Sequence, residues 1–464
     1  MRLLGLLLLL FVLLIWAACR QSHQETAGDL PAKGILPAIP EWSKDAVLYE
    51  VNVRQFTPEG TFRAFGEHLP RLRDMGIDIL WLMPVHPISE KNRKGSLGSY
   101  YAVADFKGIN PEFGTMEDFK ELVNKAHELG MYLIIDWVPN HTGWDHPWIT
   151  AYPDWFTQDS LGNIVDPINP ETSESWGWDD VADLNYDNAD MRLAMIDAMR
   201  FWVEEAGIDG FRCDVAHQVP LDFWQQANTA LNSIRPLFML AEAEVPALRN
   251  EGGFLADYAW QFKDLCNAIA KGKKKASDIN AYLAADQAAY RSGYHIYFTS
   301  NHDENSWDGS EFERLGDGHQ TFAVLCATLD GMPLIYNGQE TAMDKRLAFF
   351  EKDTIPWAGL EYVDFYTTLF DLKKRNMALW NGADGGRPSS IPTNDDDVFA
   401  FFREKDGDRL LVALNLSKSE KNIQLNDPKL NGAYSNVFAK GTVEFKSDMT
   451  IYLKPWDFLV LSNK

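Results

Sequence analysis

Cysteine is scarce in this 464-residue chain: four residues in all, at wide spacing and with no CxxC pair. That pattern supplies neither a disulfide framework nor a thiolate zinc site, and Cys213, Cys266 and Cys326 read as small buried hydrophobes. Positive charge is also in deficit. Forty-three Lys and Arg stand against 67 Asp and Glu, a net charge of −24, so the surface repels a phosphate backbone and argues against nucleic acid as a partner. No GxGxxG follows the first strand candidate, where the chain reads "VNVRQFTPEG", which weighs against an open dinucleotide-binding sheet. Repeats and low-complexity stretches are missing too. The composition, 46% hydrophobic and 24% charged, is that of a globular protein with a sizeable core.

One long apolar run exists, and it lies at the start. "MRLLGLLLLLFVLLIWAACRQ" places one Arg before an apolar stretch from Leu3 to Ile15, then Ala17, Ala18 and Cys19. This reads as an export signal. Small residues directly before a cysteine resemble a bacterial lipoprotein processing site, with Cys19 the lipidated residue of an exported protein anchored to a membrane, periplasmic or at the cell surface. Trp16 departs from the aliphatic residue usual there, and an uncleaved signal anchor is the alternative, because the run is near the roughly 17-residue lower limit of a span. Residues 20–40 are polar, then rich in Pro and Ala, as in a tether, with structure expected from near Trp42.

Beyond the tether, short β-branched and aromatic runs alternate with amphipathic stretches. Eight strand candidates start at Ala46, Ile77, Met131, Ile208, Leu237, Gly253, Tyr294 and Met332. Eight β/α units over this length predict a closed (β/α)8 TIM barrel, an α/β fold, across residues 41–378. The third strand is followed by a Trp-, Asp- and Pro-rich stretch, residues 142–186, with no period, which reads as an inserted lobe. Beyond Trp380 short alternating runs such as "VFAFFRE" and "RLLVALNLS" predict a C-terminal antiparallel β-sandwich domain over residues 379–464.

In such a barrel, side chains at the carboxyl ends of the strands share one bowl. The third strand ends "DWVPNH", giving Asp136, Asn140 and His141; the fourth ends with Arg212 and Asp214; the fifth ends at Glu242; the seventh ends in His302 and Asp303. A single strand-end Asp is usually a turn residue, but four such ends together point to a site. Neighbouring strands lie about 4.8 Å apart, which puts Asp214 and Glu242 near the roughly 5 Å of a retaining glycosidase pair. Arg212 shares the face of Asp214 by the period of two and favours its ionised form, the state of a nucleophile. Glu242 follows the apolar "LFMLA", where burial would raise its pKa and suit a proton donor. Glu244, two residues on, competes for that role. Asp303 would stand across the bowl to stabilise positive charge on the ring, and His141 and His302 would hydrogen-bond the same sugar.

These segments are similar to the short signature regions of the α-amylase family, retaining enzymes acting on α-glucosidic bonds. "DWVPNH", "GFRCD", the first Glu of "LAEAE" and "NHD" fall in family order, "VADLN" resembles the motif closing the inserted lobe, and "YYAVADF" the loop after strand two. The resemblance runs from about Trp42 to the C-terminus. It implies Asp214 as nucleophile, Glu242 as proton donor, Asp303 as transition-state stabiliser and Tyr101 as the ring stacked under the reacting sugar. It also implies a calcium ion in many members, held by counterparts of Asn140, Asp183 and a carbonyl near His217. Here the usual Lys-His pair after the nucleophile reads His217-Gln218, and the Asp-rich loop after strand one is missing, so calcium dependence is left open, as is chain-length preference. No cofactor is needed for the chemistry. Of Trp144, Trp148, Trp155, Trp176 and Trp178 in the insertion, most read equally as a local core, and Trp144, close to His141, is the leading candidate for a sugar contact.

The expected function is hydrolysis of α-1,4 bonds, with α-1,6 bonds left open, in starch, maltodextrin or pullulan through a covalent glucosyl-enzyme intermediate. Two readings compete: a transglycosylase or glucosyl isomerase using the same intermediate, and a glucan-binding protein on an inactive scaffold. The sequence sets no oligomeric state and does not choose between endo and exo action.

Overall fold

Eight parallel strands, β1 (Leu48–Val51), β2 (Ile79–Leu82), β3 (Tyr132–Trp137), β4 (Gly210–Cys213), β5 (Phe238–Ala241), β6 (Ala256–Tyr258), β7 (Tyr294–Phe298) and β8 (Met332–Tyr336), close into a barrel in which β8 returns to pair with β1. The computed structural model describes residues 34–464 except 170, 171, 173, 358 and 440. The export-signal and Cys19 lipidation readings lie outside the described residues, as does the tether up to residue 33. Among the described residues no helix is long and apolar enough to cross a membrane.

Strand alternation produces two apolar layers. Leu48, Ile79, Trp81, Ile134, Phe238, Leu240, Ile296, Phe298 and Leu334 fill the barrel interior. Their neighbours Tyr49, Leu80, Leu133, Ile135, Phe211, Met239 and Tyr297 face outward into the layer shared with the helices. A period of two therefore assigns each strand residue to one side. The helices supply matching stripes: Met116–Glu128 buries Phe119, Leu122, Val123 and Ala126, and it starts at a capping box between Thr115 and Asp118 that satisfies otherwise orphaned N–H groups.

Between β3 and β4 the chain leaves the barrel. His141–Gly143 pairs antiparallel with Val181–Asp183, and inside this lobe Trp155 stacks on Tyr152 at 4.1 Å and meets Trp148 edge-on at 4.9 Å. At the C-terminus a six-stranded sheet, its pairings antiparallel, lies with a two-stranded sheet of Lys421–Gln424 and Thr450–Leu453 around a core including Leu411, Ile423, Phe445 and Leu461. The buried Arg403 guanidinium donates to the carbonyls of Thr328 and Leu329 at 2.8 and 2.6 Å, tying this sheet to the barrel. Order begins earlier than expected. The Ile35 N–H donates to the Glu251 carbonyl at 2.8 Å, because its apolar side chain packs beside Gly253 instead of remaining in a solvated tether.

Candidate active site

The segment that ends β4 is shaped by its first residue. A Cβ at Gly210 would lie 1.9 Å from the Phe238 carbonyl oxygen, so glycine is what allows β4 and β5 to approach here. That approach fixes the two strand ends carrying Asp214 and Glu242. Phe211 and Cys213 face the helices, while Arg212 points inward, fully buried.

Arg212 is the centre of the site. Its Nη1 donates to Asp136 Oδ1 and to Asp214 Oδ1, both at 2.8 Å, its Nε donates to the Tyr258 hydroxyl at 3.1 Å, and its Nη2 lies 2.8 Å from Glu242 Oε1 as an ion contact. Three carboxylates thus share one guanidinium, a charge excess that a buried site relieves by retaining a proton. Burial raises Asp136 to about 6 despite Arg212. Burial and the adjacent Glu242 charge push Asp214 well above the carboxylate range. Glu242 goes the other way: burial works against its charge, but Arg212 and the Val215 N–H, which donates to Glu242 Oε2 at 2.6 Å, hold it below its ordinary value. Of the two, Asp214 is the carboxyl whose acid form its surroundings favour.

The direction for Glu242 is opposite to the rise expected from the apolar strand before it. The apolar residues of β5 are real, but the polar contacts of Glu242 come from β4 and its following turn, and these outweigh burial. Glu244 stands apart from the group. Its carboxylate accepts the Gln261 N–H at 2.7 Å and the Tyr282 hydroxyl at 3.4 Å, so it caps the helix after β6.

On the opposite wall Tyr101 donates its hydroxyl to Asp136 Oδ2 at 3.0 Å and meets His302 Nε2 at 2.7 Å, with the two rings stacked at 5.6 Å. His302 Nε2 lies 3.3 Å from Asp303 Oδ2, and its Nδ1 bonds Glu50. Burial would lower His302, but the carboxylates of Asp303 and Glu50 prevail and raise it to about 9, so it is a cation at neutral pH. His141 is buried and neutral. Burial lowers its pKa to about 4, and its Nδ1 lies 3.3 Å from Asn140 Nδ2. The bowl therefore brings Tyr101, His141, Arg212, Asp214, Glu242, His302 and Asp303 into one connected group. Glu50 was missed by sequence reasoning. It is fully buried on β1, and the signal was available, since "LYEV" sets a charge in an apolar strand at the inward parity of Leu48, as "GFRC" does with Arg212.

Trp144 donates its indole N–H to the Asp179 carbonyl at 3.0 Å, and Lys91 lies over its ring at 5.2 Å. Trp178 is the indole that reaches His141, with ring centres 5.8 Å apart. Among the described residues no group of three or more His, Cys, Asp or Glu is placed to hold a metal. Asn140 and Asp183 are brought together, because the Leu184 N–H donates to the Asn140 carbonyl at 3.1 Å and His141 pairs with Asp183. Burial raises Asp183 to about 6, with Thr157 opposing.

The family described as "Alpha amylase, catalytic domain" matches residues 22–381, and the "Alpha-amylase SusG C-terminal domain" matches residues 398–460. Among curated relatives, the Alpha-amylase MalA of Haloarcula japonica is 27% identical over 406 residues, 83% of this chain and 57% of that protein. The Alpha-amylase 3 of Dictyoglomus thermophilum is 25% identical over 83% of this chain and 87% of its own length. The Trehalose synthase of a Pimelobacter species is 39% identical over 39% of this chain and 35% of its own. The chain thus spans little more than half of the first of these relatives and about a third of the last. Among solved structures, the noncanonic maltogenic α-amylase AmyB of Thermotoga neapolitana superposes with a TM-score of 0.82 at 30% identity, covering 91% of this chain and 99% of that one. With a closed eight-stranded barrel, an antiparallel C-terminal sheet and an arginine-centred carboxylate group at the strand ends, this chain belongs to the α-amylase family and is a glycosidase of that family.

Proposed function

We propose that the chain is a retaining hydrolase of α-1,4-glucosidic bonds in starch, maltodextrin or pullulan, with Asp214 as nucleophile, Glu242 as acid and base, and Asp303 as stabiliser of the charged ring. The observation that carries this reading is the guanidinium shared by Asp214 and Glu242, each 2.8 Å from Arg212 at the ends of the paired strands β4 and β5. Neighbouring strands lie about 4.8 Å apart, near the roughly 5 Å of retaining pairs and short of the roughly 6.5–9.5 Å of inverting ones. The reaction needs one proton on this pair. With that proton on Glu242, Asp214 is ionised beside Arg212, ready to attack the anomeric carbon as Glu242 protonates the departing oxygen. Water, deprotonated by Glu242, then releases the sugar. Tyr101, His141 and His302 line the same bowl and would hold the reacting ring; cationic His302 donates best to hydroxyls.

A second reading is transfer of the glucosyl group to another sugar, or its isomerisation. It is favoured by the stretch, 39% of this chain, that is 39% identical to a trehalose synthase. A non-catalytic glucan-binding protein is the third; the complete carboxylate group around Arg212 weighs against it. Digestion of starch, pullulan, maltose, sucrose and maltoheptaose with product chromatography separates them: shorter glucans support hydrolysis, products longer than the substrate support transfer, and no conversion supports binding alone.

We also propose export and lipid anchoring at Cys19, from the sequence around it, and a structural calcium ion. The donors fit the ion: Asp183 is a half-buried carboxylate whose pKa burial raises to about 6, and Asn140, brought beside it by the pairing of His141 with Asp183, would contribute amide oxygen, hard ligands of the kind calcium takes. Such an ion would pin the inserted lobe to the barrel.

A further inference from the structure

The barrel carries a second concave site at the end away from the carboxylates. A cavity of about 270 Å³ opens between the helix Asp278–Ala289, the first residues of β7, the turn before β8 and the segment 382–390, which enters the C-terminal sheet. Tyr294 starts β7, and Asp303 follows the far end of the same strand. Five strand residues rise roughly 15 Å, so this cavity is separate from the bowl.

Its lining is rich in cations, in a chain whose net charge is −24. Arg249 is built into the wall. It is 4% exposed and lies over the Tyr290 ring at 4.1 Å. Its Nε donates to the Ser292 carbonyl and its Nη1 to Asp257, both at 2.9 Å, while its Nη2 has no hydrogen bond among the described residues. Buried His295 is held between Asp257 at 2.7 Å and Asp286 at 2.6 Å. Those carboxylates overcome burial and keep it a cation at neutral pH. Arg291 and Arg387 line the same cavity, and neither guanidinium has a hydrogen-bond or ion-pair partner among the described residues. Of the lining acids, Asp286 is engaged by His295, and Asp330 forms no ion pair among the described residues.

These groups define the ligand. Guanidinium forks match the oxygens of a phosphate, and a buried donor without a partner is costly, so the open nitrogen of Arg249 favours an oxyanion. A bare anion would face Asp330 with nothing to offer it, whereas a ligand that also carries hydroxyls can donate to that carboxylate. The volume lies just below the roughly 300–1,000 Å³ of ordinary small-molecule pockets, which limits the ligand to about one sugar ring and its phosphate.

We propose that this cavity binds a phosphorylated monosaccharide of hexose size, its phosphate held by Arg249, Arg291 and Arg387 and its hydroxyls by Asp330. Because the lining comes from both the barrel and the segment 382–390, the bound ligand fastens the C-terminal sheet to the barrel. The site stands independently of the hydrolase reading. Isothermal titration of the full chain at fixed ionic strength with glucose 6-phosphate, glucose and inorganic phosphate tests it. One glucose 6-phosphate should bind per chain, with glucose and phosphate each at least about tenfold weaker. Arg291→Ala/Arg387→Ala should lose at least about tenfold in affinity for the ester, since two charge-assisted contacts are gone. Its melting temperature without ligand should match the wild type, both side chains being exposed. Asp330→Asn should weaken the ester and not inorganic phosphate. No binding of the ester, equal affinity for glucose or phosphate alone, or full affinity in either variant would overturn the proposal.

Discussion

The Val215 N–H donates to Glu242 Oε2 at 2.6 Å from a backbone at φ 36°, ψ 44°. A β-branched residue in the left-handed region costs on the order of 1–3 kcal/mol. That strained turn follows Asp214 directly, so one residue both ends the strand bearing one carboxyl and grips the other. The strain sits where the Asp214–Glu242 distance is set.

Val215→Gly adopts the same turn without strain and keeps the N–H. Unfolding free energy should rise by about 1 kcal/mol, while kcat/KM falls because the freed turn no longer fixes Glu242. Urea denaturation and initial rates on maltoheptaose check this pair of effects, and a less stable variant with full activity would contradict it.

Glu242→Gln removes the group that protonates the departing oxygen. Turnover of maltoheptaose should fall by about 10²–10⁴-fold, the usual worth of a positioned acid. On α-glucosyl fluoride the loss should be far smaller, because fluoride departs without a proton. Equal losses on the two substrates would place the acid elsewhere.

His302 is raised to about 9 from an ordinary 6.5, with Asp303 and Glu50 overcoming burial. A raised folded value means this contribution to stability is complete below pH 6.5 and is lost as pH climbs through 9. His295, between Asp257 and Asp286, is likewise raised to about 9 against its burial and acts in the same window. In Glu50→Gln one of the two carboxylates supporting His302 is gone, so the fall of Tm between pH 6.5 and 9 should be shallower than in the wild type. A slope unchanged by the substitution would show that Glu50 does not hold the histidine's proton.

Gly210→Ala drives a methyl group into the Phe238 carbonyl. β4 and β5 must separate, at a cost of about 3 kcal/mol, and the Asp214–Glu242 pair separates with them. Thermal melting and activity should fall together; a variant with wild-type melting would mean that the strands give way at no cost.

The barrel was legible because each strand is a short apolar run whose parity assigns inside and outside, as Ile79 and Trp81 against Leu80 and Leu82 illustrate. Arg212 and Asp214 were legible for the same reason: a charge at inward parity near a strand end has few other uses. Glu50 carried that signal and was passed over because β1 was read only for its apolar residues. The lowered pKa of Glu242 was not legible, since it is governed by Arg212 and Val215 on the neighbouring strand and turn, contacts that no single segment displays. The roles of the lobe's indoles were hidden likewise: which of them build its core, as Trp155 does, and which remain open, as Trp176 does, depends on how the lobe folds back on itself.

The most direct test of the account is covalent trapping. Glu242→Gln, which should form the glucosyl intermediate from a 5-fluoroglucosyl fluoride and release it slowly, is digested and its peptides weighed. The account predicts one added fluoroglucosyl group, on the peptide carrying Asp214. A label on a different carboxylate, or no label together with products of inverted anomeric configuration from the wild-type protein, would contradict it.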